Sequence, residues 1–146
     1  MVDSSTADSN ASDGIVASDS AIITSCNVAA NTSDGILVGN SCLVRDNRCG
    51  GASGIAPPAN STGIRVTGND NRIEGNHLTN SARGLKVEFS GNLIISNTAT
   101  ANTINWDISA TNFGHFVTVT NSGAAFAGSA GGAALGNVDP RINISH

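Results

Sequence analysis

Tyrosine is missing altogether from this 146-residue chain; tryptophan occurs once, proline three times and phenylalanine four times. Scarcity of aromatics is shared by disordered chains, but those also lack aliphatics and carry high net charge. Here Ile, Val and Leu recur in clusters, so the chain reads as a folded β protein large enough for one real core. Charge is scarce as well: 12% of residues are charged, seven Lys and Arg stand against eleven Asp and Glu, and the net charge is −4. That balance argues against a nucleic-acid partner, because phosphate binding needs clustered basic residues. No apolar run approaches the roughly 18–20 residues needed to cross a bilayer, so no membrane partner is expected. The polar, acidic start (residues 1–13) is neither a signal peptide nor an anchor, and reads as a flexible N-terminal arm. Cys26, Cys42 and Cys49 form no CxxC pair and no metal-ligand spacing; three free, partly buried thiols are expected.

What the chain has in abundance is Asn, Ser, Thr and Gly, and these recur with a period. Gly is followed by an aliphatic residue at Gly14-Ile15, Gly35-Ile36, Gly63-Ile64 and Gly84-Leu85, in steps of 21, 28 and 21. One more step of 21 leads to Asn105-Trp106, where Asn stands in for Gly. Cys26, Asn47, Asn76 and Asn97 repeat in steps of 21, 29 and 21. The long middle step carries an insertion at residues 50–60, GGASGIAPPAN, whose paired prolines cannot sit in a central ladder.

Each unit holds three short alternating stretches separated by turn residues. Such alternation places every second side chain inward, and three strands per unit wind into one coil of a triangular solenoid. The fold class is therefore all-β: a right-handed parallel β-helix of about five 21-residue coils over residues 14–120, with a Gly/Ala-rich tail over 121–146 as a cap or oligomerisation segment. The first sheet should point Ile15, Ile36, Ile64, Leu85 and Trp106 inward, together with Ala17, Val38, Val66, Val87 and Ile108. The second should bury Ile23, Val44, Ile73 and Ile94, and the third Val28, Cys49, Leu78 and Ala99. The Asn47, Asn76, Asn97 column suits a tight corner, where Asn tolerates left-handed backbone and its amides can bond from coil to coil. Phe113, Phe116, Val117 and Val119 are expected in a final strand, and Ile142 and Ile144 alternate as a strand would.

The Gly-aliphatic repeat, with the segments NDNRIEGNHLTNSARGLKV, GNLIISNTATANT and LGNVDPRINISH, resembles right-handed parallel β-helix proteins of the pectin-lyase-like superfamily. The likeness spans residues 14–146 and is similar in style to uncharacterised bacterial and phage-like members. It implies the fold more than any one function, since the superfamily holds polysaccharide lyases, hydrolases and tailspikes.

Enzymes of that superfamily work on the outer face of the first sheet. Here that column would be Val16, Leu37, Arg65, Lys86 and Asp107, with Asp70 and Glu88 near it. On the lyase alternative, Arg65 or Lys86 would take a proton beside a uronate carboxylate, and Asp70, Glu88 and Asp107 would hold Ca2+. Otherwise these charges pair across coils on a solvated face, and no cofactor is expected. A hydrolase needs two carboxylates roughly 5–10 Å apart, and Glu74 and Glu88 fall on different sheets. The leading expectation is a non-catalytic structural or polysaccharide-binding module of an extracellular, cell-surface or virion-associated protein. Outward aliphatics (Val16, Leu37, Ile22, Leu43, Leu93, Ile95) lead to the expectation of a homo-oligomer, with a trimer favoured.

Overall fold

Three parallel sheets form the walls of a coil of about five turns, in a computed structural model that describes residues 1–51, 57–58, 61–114, 116–118, 126–128 and 142–145. The strands in chain order are β1 (Val2–Asp3), β2 (Thr6–Asp8), β3 (Ile15–Ala17), β4 (Ile22–Thr24), β5 (Asn27–Ala29) and β6 (Ile36–Val38). There follow β7 (Leu43–Arg45), β8 (Arg48–Gly50), β9 (Thr62–Val66), β10 (Arg72–Glu74), β11 (His77–Thr79) and β12 (Arg83–Val87). The last six are β13 (Leu93–Ile95), β14 (Thr98–Thr100), β15 (Ile104–Ile108), β16 (Phe116–Thr118), β17 (Phe126–Gly128) and β18 (Asn143–Ser145). The first sheet runs β3-β6-β9-β12-β15-β17, the second β1-β4-β7-β10-β13, and the third β2-β5-β8-β11-β14-β18-β16. At about 4.8 Å per strand, five turns make a rod of roughly 24 Å.

The inward columns stand in register as the alternation requires. Ile15, Ile36, Ile64, Leu85 and Trp106 pair in succession along the first sheet. All five are buried, as are Ile23, Val44, Ile73 and Ile94 in the second sheet and Val28, Cys49, Leu78 and Ala99 in the third. Like residues stacked on like fill the core without alternating sizes, which is why one aliphatic at the same place in every turn suffices. Trp106 closes the core, its ring 5.4 Å from that of Phe116, and its buried Nε1 has no hydrogen-bond partner among the described residues.

The winding begins earlier than expected. Residues 2–3 and 6–8, assigned from sequence to a flexible arm, form β1 and β2, paired with β4 and β5. Val2 and Ala7 supply the inward positions, so a polar strand with a single apolar residue is enough once a neighbour offers its edge. At the other end Phe113 bridges Leu93 in the second sheet, while Phe116 and Val117 belong to β16 in the third. The expected final strand is thus divided between two sheets; Val119 lies outside the described residues. Ile95, expected to face outward, is 7% exposed.

Corners follow one rule. The turns between the second and third sheets open with a residue at positive φ, such as Ser25, Asp46, Gly75 and Ser96, as do those between the first and second, such as Ser41, Asp70, Gly91 and Thr111. In the interior turns the next residue is buried and bonds to its counterpart one coil on. Asn47, Asn76 and Asn97 are those next residues, so the left-handed geometry expected of them belongs to their predecessors. Asn47 Nδ2 donates to Asn76 Oδ1 (3.0 Å), and Asn76 Nδ2 to Asn97 Oδ1 (3.0 Å). A second ladder runs from Asn71 through Asn92 to Asn112. Cys26 and Cys42 open these two ladders: each backbone N–H donates to the first Asn, and each thiol donates to a nearby carbonyl.

The insertion leaves this register intact. Gly50 still pairs with Thr79, and Ile36 with Ile64. Pro57 and Pro58 stand beside a hollow of about 190 Å3 lined also by Asn31, Thr32, Ser61 and Thr62.

Candidate functional site

β9, β12 and β15 set the outer face of the first sheet. Arg65, Lys86 and Asp107 are registered on one another there, continuing the column from Val16 and Leu37. The pleat dictates this: their chain neighbours Ile64, Leu85 and Trp106 are wholly buried, so the alternate residues must face out. Glu88 follows β12 directly and reaches back over the same face, to Arg65 and Lys86.

The charges are consumed in pairs. Arg65 donates to Glu88 Oε1 through Nε (3.1 Å) and Nη2 (2.9 Å), and its Nη1 lies 3.5 Å from Asp34 Oδ2. Lys86 Nζ lies 2.6 Å from the same Glu88 oxygen. Arg83 Nε donates to Asp107 Oδ2 at 2.8 Å. The Lys86 hydrogen bond, aided by Arg65, holds the Glu88 carboxyl below the ordinary range despite partial burial. Burial works to release the Arg65 proton, but Glu88 and Asp34 outweigh it and raise its pKa. A proton acceptor must spend part of its time neutral; Arg65 in this setting is held charged.

Asp34, which sequence reasoning passed over, is the most enclosed member, its side chain 4% exposed. Desolvation raises its pKa against a hydrogen bond from the Thr62 hydroxyl and the pull of Arg65, and the nearby Asp13 raises it further. It stands before the insertion and Arg65 stands after it, so no local spacing could have linked the two.

The three carboxylates named for Ca2+ under the lyase alternative lie apart. Asp70 is a positive-φ corner residue, in the turn between β9 and β10. Glu88 and Asp107 face separate bases, and no three His, Cys, Asp or Glu side chains gather to hold a metal ion among the described residues. Glu74 pairs with Arg72 (2.6 Å) on the second sheet, away from Glu88. His77 shares a 2.8 Å hydrogen bond with Thr98 on the third. The three thiols are free and buried, and burial pushes that of Cys49 well up, so it stays protonated.

What remains open is a shallow depression of about 340 Å3 bordered by Thr62, Arg65, Arg83 and Lys86. It presents three cationic side chains, with the partner carboxylates at its margins, while the Thr62 hydroxyl is buried and spent on Asp34. Such a surface can offer hydrogen-bond donors to a polar or acidic ligand. Comparison of the chain with protein-family models, with curated proteins and with solved structures finds no match.

Proposed function

We propose that the chain is a non-catalytic β-helix module, structural or polysaccharide-binding, of an extracellular, cell-surface or phage-like (tailspike-type) protein, working as a homo-trimer. Its kinship would lie with the pectin-lyase-like β-helix proteins that the Gly-aliphatic repeat resembles. The observation that supports this reading is the closed set of pairs among Arg65, Glu88, Lys86, Asp34, Arg83 and Asp107. Groups that neutralise one another across coils brace a rod, and each exposed pair contributes under about 1 kcal/mol. Outward aliphatics at Val16 (65% exposed) and Ile22 (42%) support association with further copies.

A second reading, a polysaccharide lyase or hydrolase acting on an anionic glycan, draws on the cationic rim of the depression. An ultraviolet assay for unsaturated uronides and a reducing-sugar assay, run over a panel of anionic glycans with and without Ca2+, separate the two. Calorimetric binding without turnover is the expected result. Robust turnover that disappears in Arg65→Ala or Lys86→Ala would overturn the proposal.

A further inference from the structure

One basic side chain stands outside the charge pairing of this fold. Arg45 lies 3.3 Å from Asp46, Arg72 2.6 Å from Glu74 and Arg83 2.8 Å from Asp107, while Arg65 and Lys86 share Glu88. Arg48, exposed on β8, has no ion pair among the described residues. The register explains why. On the outer face of the third sheet Arg48 is registered on Asn27 in the coil before and His77 in the coil after, and neither is a carboxylate. His77 shares its Nδ1 with the Thr98 hydroxyl one coil further on. Asp46, two residues away in sequence, is held by Arg45.

Arg48 borders a hollow of about 300 Å3 whose floor is Ala29, Ala30, Gly50 and Gly51. That volume is at the lower end of the roughly 300–1,000 Å3 typical of small-ligand sites. The floor is bare for a structural reason: a Cβ on Gly50 would stand 2.8 Å from the Thr79 carbonyl oxygen of the next coil. Without side chains there, a flat ring can lie against the backbone. The two ends of the hollow differ in charge. Asp8 stands at the end opposite Arg48, two strand spacings or about 10 Å along the rod. A guanidinium donates a pair of hydrogen bonds to a carboxylate, and a carboxylate accepts them from hydroxyls. No exposed large apolar side chain borders the hollow among the described residues, so an apolar peptide would find nothing to hold. The hollow beside Pro57 and Pro58 adjoins this one through Ala30, Gly50 and Gly51, which gives a longer ligand a continuation.

We propose that the outer face of the third sheet is a subsite for an acidic sugar: Arg48 binds the carboxylate of a uronate residue, the ring lies on the Ala29–Gly50 floor, and Asp8 accepts from hydroxyls at the far end. This is a different sheet from the depression at Arg65, Arg83 and Lys86. A ligand there must compete with Glu88, Asp34 and Asp107 for every cation, whereas a ligand at Arg48 displaces no carboxylate of the chain. A single guanidinium also suits one acid group per ring better than a nucleic acid, whose phosphates call for clustered basic residues. The inference rests on the polysaccharide-binding reading proposed above, and the experiment distinguishes the two.

The full chain is titrated calorimetrically with an oligogalacturonate, and with neutral dextran beside it. The oligogalacturonate should bind and the dextran should not. Arg48→Ala should weaken binding by about tenfold or more, the loss expected for a charge-assisted hydrogen-bonded pair. Ala29→Leu should weaken it as well, because an outward side chain there fills the floor and leaves Arg48 in place. Arg45→Ala removes an exposed guanidinium from the second sheet and should bind as the parent does. Both Arg48 and Ala29 point away from the core, so unchanged far-ultraviolet circular dichroism should accompany each variant. Affinity that survives Arg48→Ala, or that is lost in Arg65→Ala instead, overturns the subsite and leaves glycan binding standing. Dextran bound as tightly as the oligogalacturonate overturns the recognition of an acid. No binding of the oligogalacturonate refutes the subsite, while the polysaccharide-binding reading falls only when the whole glycan panel fails to bind.

Discussion

Replacing Asn76 by Ala tests the idea that the buried corner ladders hold the coils together. The Asn76 side chain bonds at both ends. Its Oδ1 accepts from Asn47 N and Nδ2, both at 3.0 Å, and its Nδ2 donates to Val44 O (2.9 Å) and Asn97 Oδ1 (3.0 Å). Asn47 and Asn97 are themselves 2% and 0% exposed, so water cannot replace what is lost. At about 1 kcal/mol per bond, the loss is about 4 kcal/mol. Against a typical domain stability of about 5–15 kcal/mol, that is a large fraction. With about 2–4 °C per kcal/mol for a chain of this size, the midpoint should fall by about 8–16 °C. The matched control is Asn40→Ala. Asn40 also bonds across coils, to Asp19 Oδ1 (3.1 Å) and from Asn69 N (2.9 Å), but it is exposed. Solvent takes over those bonds, and a change under about 1 kcal/mol is expected. Thermal unfolding followed by far-ultraviolet circular dichroism measures both, with urea titration to check that the m-value is unchanged. Midpoints within about 3 °C of each other, well inside the separation this arithmetic requires, would refute the ladder's role.

Three further outcomes are expected. Ile64→Asp should prevent soluble folding, since an unpaired charge at a wholly buried site costs several kcal/mol, while Asn27→Asp on the exposed face of the third sheet should be nearly silent; expression yield and urea midpoints compare them. Gly63→Ala should cost about 1–3 kcal/mol in urea unfolding, because a Cβ there would stand 2.7 Å from the Gly84 carbonyl oxygen, part of a backbone that cannot yield; a neutral result would mean the coils can spread. Stability measured across acid to neutral pH should show two opposed limbs. Glu88 and Glu74, with lowered pKa values, contribute above the ordinary carboxylate range and lose that contribution as pH falls through their folded values. Asp34, with a raised pKa, contributes below that range and loses the contribution as pH rises through its folded value. Asp34→Asn should therefore flatten the second limb alone, and an unchanged profile would contradict the assignment.

The inward columns are legible in the sequence because a solenoid repeats one decision: a position that is aliphatic in Ile15 is aliphatic in Ile36, Ile64 and Leu85, and the pleat does the rest. Asn47, Asn76 and Asn97 are visible for the same reason. Their companion ladder through Asn71, Asn92 and Asn112 is not, since Asn is common everywhere in the chain and nothing local marks these three out. Alternation alone makes Arg65 a lone outward charge that tolerates reversal. The structure sets the buried Asp34 carboxylate against it, so Arg65→Asp would leave two like charges in an enclosed site. β1 and β2 are hidden by polarity, because one apolar residue per strand gives no alternation to detect. β18 is hidden by topology: a strand that enters between two earlier ones obeys no period. The Ile142 and Ile144 alternation foretells a strand there and cannot foretell its place.

The insertion between β8 and β9 bears on how the rod would respond to force. Backbone bonds between coils lie along the axis, so a pull on the two ends opens coils one at a time rather than shearing them together. Each ordinary coil would release about 21 residues of slack, on the order of 70 Å of contour. The coil that carries the insertion would release a longer length, a broader tread in an otherwise even staircase. The tread's position in the sequence of steps reports which end unravels first. With β18 wedged between β14 and β16, the carboxyl end has to shed that wedge before its coils can begin to unwind.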